Sequence, residues 1–142
     1  MASIKRSIAI QSTPERILGY VTEPRTLAEW IPSMVETRNI IGGGEGQQYE
    51  WTYKMAGLLL RGQTTVVEYE PSTRAVHQSI GTVSSTWTTT LTPRDGWTDV
   101  TMEVEYTVPI PVLGKLAEQL AIRRDARDLE IALTNLKETL EL

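Results

Sequence analysis

One histidine, five tyrosines, four tryptophans and no cysteine bound the chemistry open to this 142-residue chain. His77, the only imidazole, is the only side chain whose ordinary pKa suits proton transfer near neutrality. Glu68 is the carboxylate that strand pairing brings opposite it, which would make a base and its orienter. With the turn at Ser72–Thr73, the two residues face each other on the inward side of a hairpin. That register also sends Val67, Tyr69, Val76 and Ile80 to solvent, and a one-residue bulge would reverse the faces. An outward-facing His77 is therefore the more economical arrangement, and catalysis by His77 and Glu68 is a secondary expectation. The lack of cysteine removes disulfides, thiol catalysis and Cys-ligated metal. No histidine cluster, spaced carboxylate set or Gly-x-Ser-x-Gly elbow is present, so neither a metal nor a cofactor is expected.

A second set of residues points to binding. With Ala56–Gly57 as a turn, Tyr49, Trp51, Tyr53 and Met55 share one face with Leu58, Leu60, Gly62 and Thr64. The opposite face carries Glu50, Thr52, Lys54, Leu59, Arg61 and Gln63. With Asp95–Gly96 as a turn, Trp87, Thr89 and Leu91 face Val100, Met102, Val104 and Tyr106, while Thr88, Thr90, Thr101, Glu103 and Glu105 turn to water. Two independent hairpins thus give one aromatic-rich inward surface and one wet one. Wide rings and a pliable thioether suit an apolar guest, and tyrosine hydroxyls can fix its orientation. Tyr49, Trp51, Tyr53, Leu58, Leu60, Trp87, Thr89, Met102, Val104 and Tyr106 are accordingly the expected ligand contacts, around a void of at least about 300 Å³.

Such a face needs a cover. The only long helical pattern runs from Pro109 to Leu142, where Ile122, Ala126, Leu129, Leu133, Leu136 and Leu140 recur at helical spacing on one side. Leu113, Leu116 and Leu120 project roughly 160° away from that stripe, and the polar run Arg123, Arg124, Asp125, Arg127, Asp128 marks the crossover. Leu116 and Leu120 are the expected cover for the cavity, with Arg124 beside them to meet a carboxylate or phenolate on a guest. A kink, or two helices in sequence, is the alternative to one rod. Upstream, Ile4 to Ile10 alternate as a first strand. Thr13-Pro14 starts a short helix, Glu23-Pro24 breaks it, and a second short helix carrying Trp30 ends at Pro32. Six strands follow between Val35 and Val108.

The connections at one end of this meander, Met55–Leu60, Ile80–Val83 and Val108–Leu113, are apolar where loops usually are not. They either rim the mouth of a cavity or pack under the helix. At the other end Gly42-Gly43-Gly44-Glu45-Gly46 has the composition of a phosphate cradle but lacks its Lys and carries Glu45, so it reads as a flexible turn. A net charge of −4 without a basic stripe argues against nucleic acid as a partner. The amino terminus lacks a continuous apolar run, so the expectation is one cytoplasmic domain over residues 1–142 with no stable membrane insertion.

The ordering of strand, two short helices in "TPERILGYVTEPRTLAEWIPSM", six-strand meander and "PVLGKLAEQLAIRRDARDLEIALTNLKETLE" resembles the START-related SRPBCC superfamily, and within it the polyketide cyclase/dehydrase-like group. The Pro14-Glu15-Arg16 opening, the Trp30-Ile31-Pro32 trio and the Leu113-Gly114 helix start carry the resemblance, which spans nearly the whole chain. It implies an α+β helix-grip fold, in which a curved seven-stranded antiparallel sheet (β-α-α-β6-α) wraps a long C-terminal helix around an internal cavity. Members of the superfamily bind lipids, sterols, quinones and hormones, include birch-pollen-like allergens, or act as aromatase/cyclases. Several work as dimers, so a homodimer is among the expectations. The resemblance implies binding or transport of a hydrophobic small molecule such as a lipid, polyketide or quinone, with a cyclase, aromatase or dehydratase as the alternative. No catalytic set can be carried over residue by residue.

Overall fold

The computed structural model describes residues 2–55, 57–107 and 114–142. The chain runs β1 (Ala2–Ile10), α1 (Pro14–Val21), a 3₁₀ turn (Pro24–Thr26) into α2 (Leu27–Trp30), β2 (Met34–Ile41), β3 (Gln48–Met55), β4 (Leu58–Glu70), β5 (Arg74–Gly81), β6 (Ser85–Arg94), β7 (Trp97–Tyr106) and α3 (Gly114–Leu140). The strands form one seven-stranded sheet in the order β1-β7-β6-β5-β4-β3-β2. All neighbouring pairs are antiparallel. Short connections make β2 to β7 a meander, and β1 joins it at the β7 edge.

The helical pair crosses from β1 to β2. Thr13 caps α1 by accepting the Arg16 amide at 3.2 Å, Pro14 sits where its missing N–H costs nothing, and Ile17, Leu18 and Val21 are buried. Trp30, at the end of α2, is buried and meets the edge of Trp87 on β6, with ring centroids 6.2 Å apart and planes at 82°. That contact closes the gap between the helical pair and the sheet.

One continuous α3 replaces the kinked or two-helix alternative among the described residues. Leu129, Leu133, Leu136 and Leu140 of its apolar stripe are buried with Ala132, while Ile122 and Ala126 are partly buried against the same core. Polar ties hold the rod in place. Asn135 donates to the Trp30 carbonyl at 3.1 Å, Lys137 to the Ala9 carbonyl at 2.9 Å, and Arg16 to the Leu140 carbonyl at 2.7 Å. The last of these satisfies a carbonyl at the helix end that has no partner within the helix.

Both predicted hairpin registers are present: Met55↔Leu58, Tyr53↔Leu60 and Trp51↔Gly62 in one, Trp87↔Val104, Thr89↔Met102 and Leu91↔Val100 in the other. The β4–β5 register is a correction. Glu70 pairs with Arg74 across Pro71–Thr73, with Ser72 at φ 76°, and a bulge at Val67 then sets His77 opposite Val66 while Glu68 pairs with Val76. His77 also faces Trp87 on β6, so it points inward rather than outward. Glu68 points away and pairs with Arg74. The predicted His77–Glu68 pair is not formed.

One glycine shapes the inner surface. A Cβ at Gly62 would overlap the Trp51 ring across the strand pair and sit 2.6 Å from the Ile80 carbonyl oxygen. Only the bare backbone at Gly62 lets the Trp51 ring lie flat along the sheet here.

Candidate functional site

Between the concave face of the sheet and α3 lies a cavity of about 140 Å³ that opens to the surface. This is smaller than the void of about 300 Å³ expected, because Tyr49, Thr89 and Met102 are spent on packing: all three are buried, and none is on the cavity wall. An apolar cavity of roughly 150 Å³ suffices for benzene, so the enclosed space is that of one ring.

Three groups of residues form the wall described. Trp51, Tyr53 and Leu60 come from the β3–β4 hairpin and Trp87, Val104 and Tyr106 from β6 and β7, all six on the inward face that the registers define. Ile4, Ile31, Met34 and Val83 add aliphatic surface from the rim strands and connections, with Ser79 and Ser85 as small polar points. The third group comes from α3, where Asp125, Asp128, Leu129 and Ala132 line the cavity at spacings of three, one and three. Those spacings put them on one side of the helix.

The carboxylates make the helix side of the cavity polar. The Tyr106 hydroxyl donates to Asp125 Oδ2 at 2.5 Å, and Ser33 Oγ donates to Asp128 Oδ2 at 2.9 Å. Burial raises the Asp125 pKa above the ordinary carboxyl value; the Tyr106 hydrogen bond opposes this, neighbouring Asp128 adds to it and Arg124 counters. Tyr53 is pushed up to about 12, chiefly by burial; its hydrogen bond with Ser33 works the other way, and Asp125 and Asp128 raise it further. Tyr53, Ser33, Asp128, Asp125 and Tyr106 thus form one coupled polar group at the edge of an otherwise apolar space.

Other expected residues sit elsewhere. Leu58 is 54% exposed and Leu120 57% exposed, and neither is on the wall. Leu58 lies at the start of β4. Arg124 is also exposed; it acts on Asp125 and Tyr53 only through its field. The side chain of Leu116 and the whole Val108–Leu113 connection, Leu113 included, lie outside the described residues. Of the apolar connections, Leu59 and Ile80 are exposed, whereas Val83 turns into the cavity. His77 is 8% exposed, is not on the cavity wall, and is held by burial at a pKa of about 4. It is a neutral core residue at pH 7.

Ile4, Ile31, Met34, Ser79, Ser85, Leu129 and Ala132 line the cavity without having been expected there, and Asp125 and Asp128 were passed over as part of a polar run. A signal existed. Both lie within about two helical turns before Leu129 and Ala132, which belong to the buried stripe, so a helical projection brings them to its edge. Among the described residues, no group of three or more His, Asp or Glu side chains is placed to hold a metal ion. No helix among them is long and apolar enough to cross a membrane.

A sheet gripping one long helix around an aromatic-walled cavity defines a helix-grip protein of the START type. The chain belongs to the family described as "Polyketide cyclase / dehydrase and lipid transport", which it matches over residues 1–141. Solved structures agree on the fold. TTHA0849 from Thermus thermophilus superposes with a TM-score of 0.85 at 18% identity, covering 98% of this chain and 97% of that one. A START superfamily protein from Mycobacterium smegmatis gives 0.78 at 17% identity, with 97% and 98% covered. The di-domain ARO/CYC protein StfQ of the steffimycin biosynthetic pathway gives 0.78 at 16% identity, covering 98% of this chain and 50% of that one. The sequence has no significant match among curated proteins. The family description covers polyketide cyclases, dehydrases and lipid transport, and the solved structures share the fold.

Proposed function

We propose that this protein binds and carries a hydrophobic small molecule of about one ring, held between the aromatic wall of the sheet and α3. The observation that carries this reading is the cavity itself, lined by Trp51, Tyr53, Trp87 and Tyr106 and left unfilled by the core. Burying roughly 200 Å² of apolar guest surface at about 25 cal/mol per Å² contributes on the order of 5 kcal/mol before the cost of association. Larger lipid-like or polyketide guests would extend out through the mouth. The same reading has the protein working in the cytoplasm, with a homodimer compatible with it.

A second reading, catalysis of the cyclase, aromatase or dehydratase type, is favoured by one contact. The Tyr106–Asp125 hydrogen bond supplies an acid and base pair at the cavity wall, with Asp125 made more basic by burial. His77 plays no part in it. Titration of the purified protein with toluene, followed by tryptophan fluorescence, tests the first reading. Saturable binding that Trp51→Ala weakens tenfold or more is expected; no saturable binding of any apolar probe overturns it. Native mass spectrometry of gently purified protein should show a retained apolar guest.

A further inference from the structure

We infer that the guest is an organic cation, with an ammonium group seated at Asp125 and Asp128 and its ring against Trp51 and Trp87. This deepens the binding function proposed above and rests on it. Three observations converge.

The first is charge. Asp125 and Asp128 both line the cavity, and neither forms an ion pair with any described residue. Two carboxylates one turn apart in a partly dehydrated space repel each other, and such groups are retained at a cost unless something positive offsets them. Arg124, the adjacent basic residue, is exposed and off the wall.

The second is hydrogen-bonding capacity. Each carboxylate uses one oxygen internally, Asp125 Oδ2 for Tyr106 and Asp128 Oδ2 for Ser33. Both Oδ1 atoms are left without a donor among the described residues. An ammonium group carries two or three donors and no acceptor, which matches what remains. A carboxylate or phosphate guest would bring acceptors to acceptors.

The third is the opposite wall. Trp51, Tyr53, Trp87 and Tyr106 surround the same space, and such rings attract a desolvated cation to their faces. Aromatic walls with carboxylates at one side discriminate against anions twice over. Burial of Asp125, which raises its pKa, agrees with a site that is underfilled when no cation is present.

Three probes of one shape separate the alternatives by isothermal titration calorimetry at pH 7: tyramine, 4-propylphenol and 4-hydroxyphenylacetate, respectively cationic, neutral and anionic. Tyramine is expected to bind at least tenfold tighter than 4-propylphenol, and 4-hydroxyphenylacetate weakest of the three. In the isosteric double variant Asp125→Asn, Asp128→Asn, the preference for tyramine over 4-propylphenol should shrink by tenfold or more, with a thermal melt checking that the fold is kept. Equal or tighter binding of 4-propylphenol by the wild-type protein overturns the inference without need of any variant. So does a preference that survives both substitutions. If toluene or 4-propylphenol binds and tyramine does not, the cation inference alone falls; if nothing apolar binds, the function proposed above falls with it.

Discussion

Acidification offers the most direct test of how the sheet is registered, because the only histidine of the chain is buried. His77 lies inside the sheet, opposite Val66 and Trp87, and burial alone lowers its pKa from 6.5 to about 4. An unfolded chain takes up the proton near 6.5; the folded chain refuses it until near 4. Stability is therefore lost as the pH falls through this window, and the loss is complete once both states are protonated. A difference of about 2.5 units at 1.36 kcal/mol per unit gives a loss of about 3 kcal/mol. Other groups titrate in the same range. Their contributions cancel when wild type is compared with His77→Leu, a substitution of similar volume that carries no proton.

Urea denaturation at pH 7.5 and pH 4.5 should thus show the leucine variant gaining about 2–3 kcal/mol on the wild type between the two conditions. Proton NMR gives an independent reading, since a single histidine yields unambiguous ring resonances. They should keep the neutral shift down to about pH 5. A midpoint near 6.5, or a wild-type-minus-variant difference that does not move with pH, would show that His77 is solvated and that the inward register of β5 is mistaken.

Two further outcomes follow from the cavity wall. Gly62→Ala places a methyl group into the Trp51 ring and against the Ile80 carbonyl, so a loss of about 1–3 kcal/mol is expected on denaturation, with a shifted tryptophan emission; unchanged stability and spectrum would refute the close approach. Asp125→Asn removes a charge whose pKa burial has raised while the amide oxygen can still accept from Tyr106. The guest-free variant should melt higher than wild type at pH 8, and the gain should diminish at acidic pH, as the wild-type carboxyl takes up its proton. A variant that is less stable at both pH values contradicts the sign.

What sequence could specify here depended on how a turn announces itself. Asp95–Gly96 and Gly57 adopt positive φ, the chemistry that two-residue hairpins require, and the alternation on either side leaves one register that buries the rings. Those two hairpins therefore make Trp51, Tyr53, Leu60, Trp87, Val104 and Tyr106 of the cavity wall legible from sequence alone. The β4–β5 hairpin carries no such signal. Its connection includes Pro71 and a non-glycine residue, Ser72, at φ 76°, and its register slips once more at Val67. Each event moves the pairing by one residue. Together they return His77 to the inward face and send Glu68 outward, an outcome that periodicity alone cannot yield.

The helix side was passed over for a different reason. Polarity on a helix normally marks the face that meets water, and Asp125 and Asp128 carry that same mark. In this fold, however, the helix does not lie on a filled core along its whole length. From Leu129 to Leu140 it does, through Leu133 and Leu136. One turn earlier the sheet has curved away and left space, so the same face of the same rod meets a cavity instead of packed side chains. A carboxylate there is neither a core residue nor a surface one: Asp125 and Asp128 are half-buried and contact Tyr106 and Ser33 across the gap. The change from leucine to aspartate along one helical face thus marks where packing stops and the cavity begins. That transition, more than the aromatic rings, which would serve a solid core equally well, is the feature of the sequence that distinguishes a container from a filled domain.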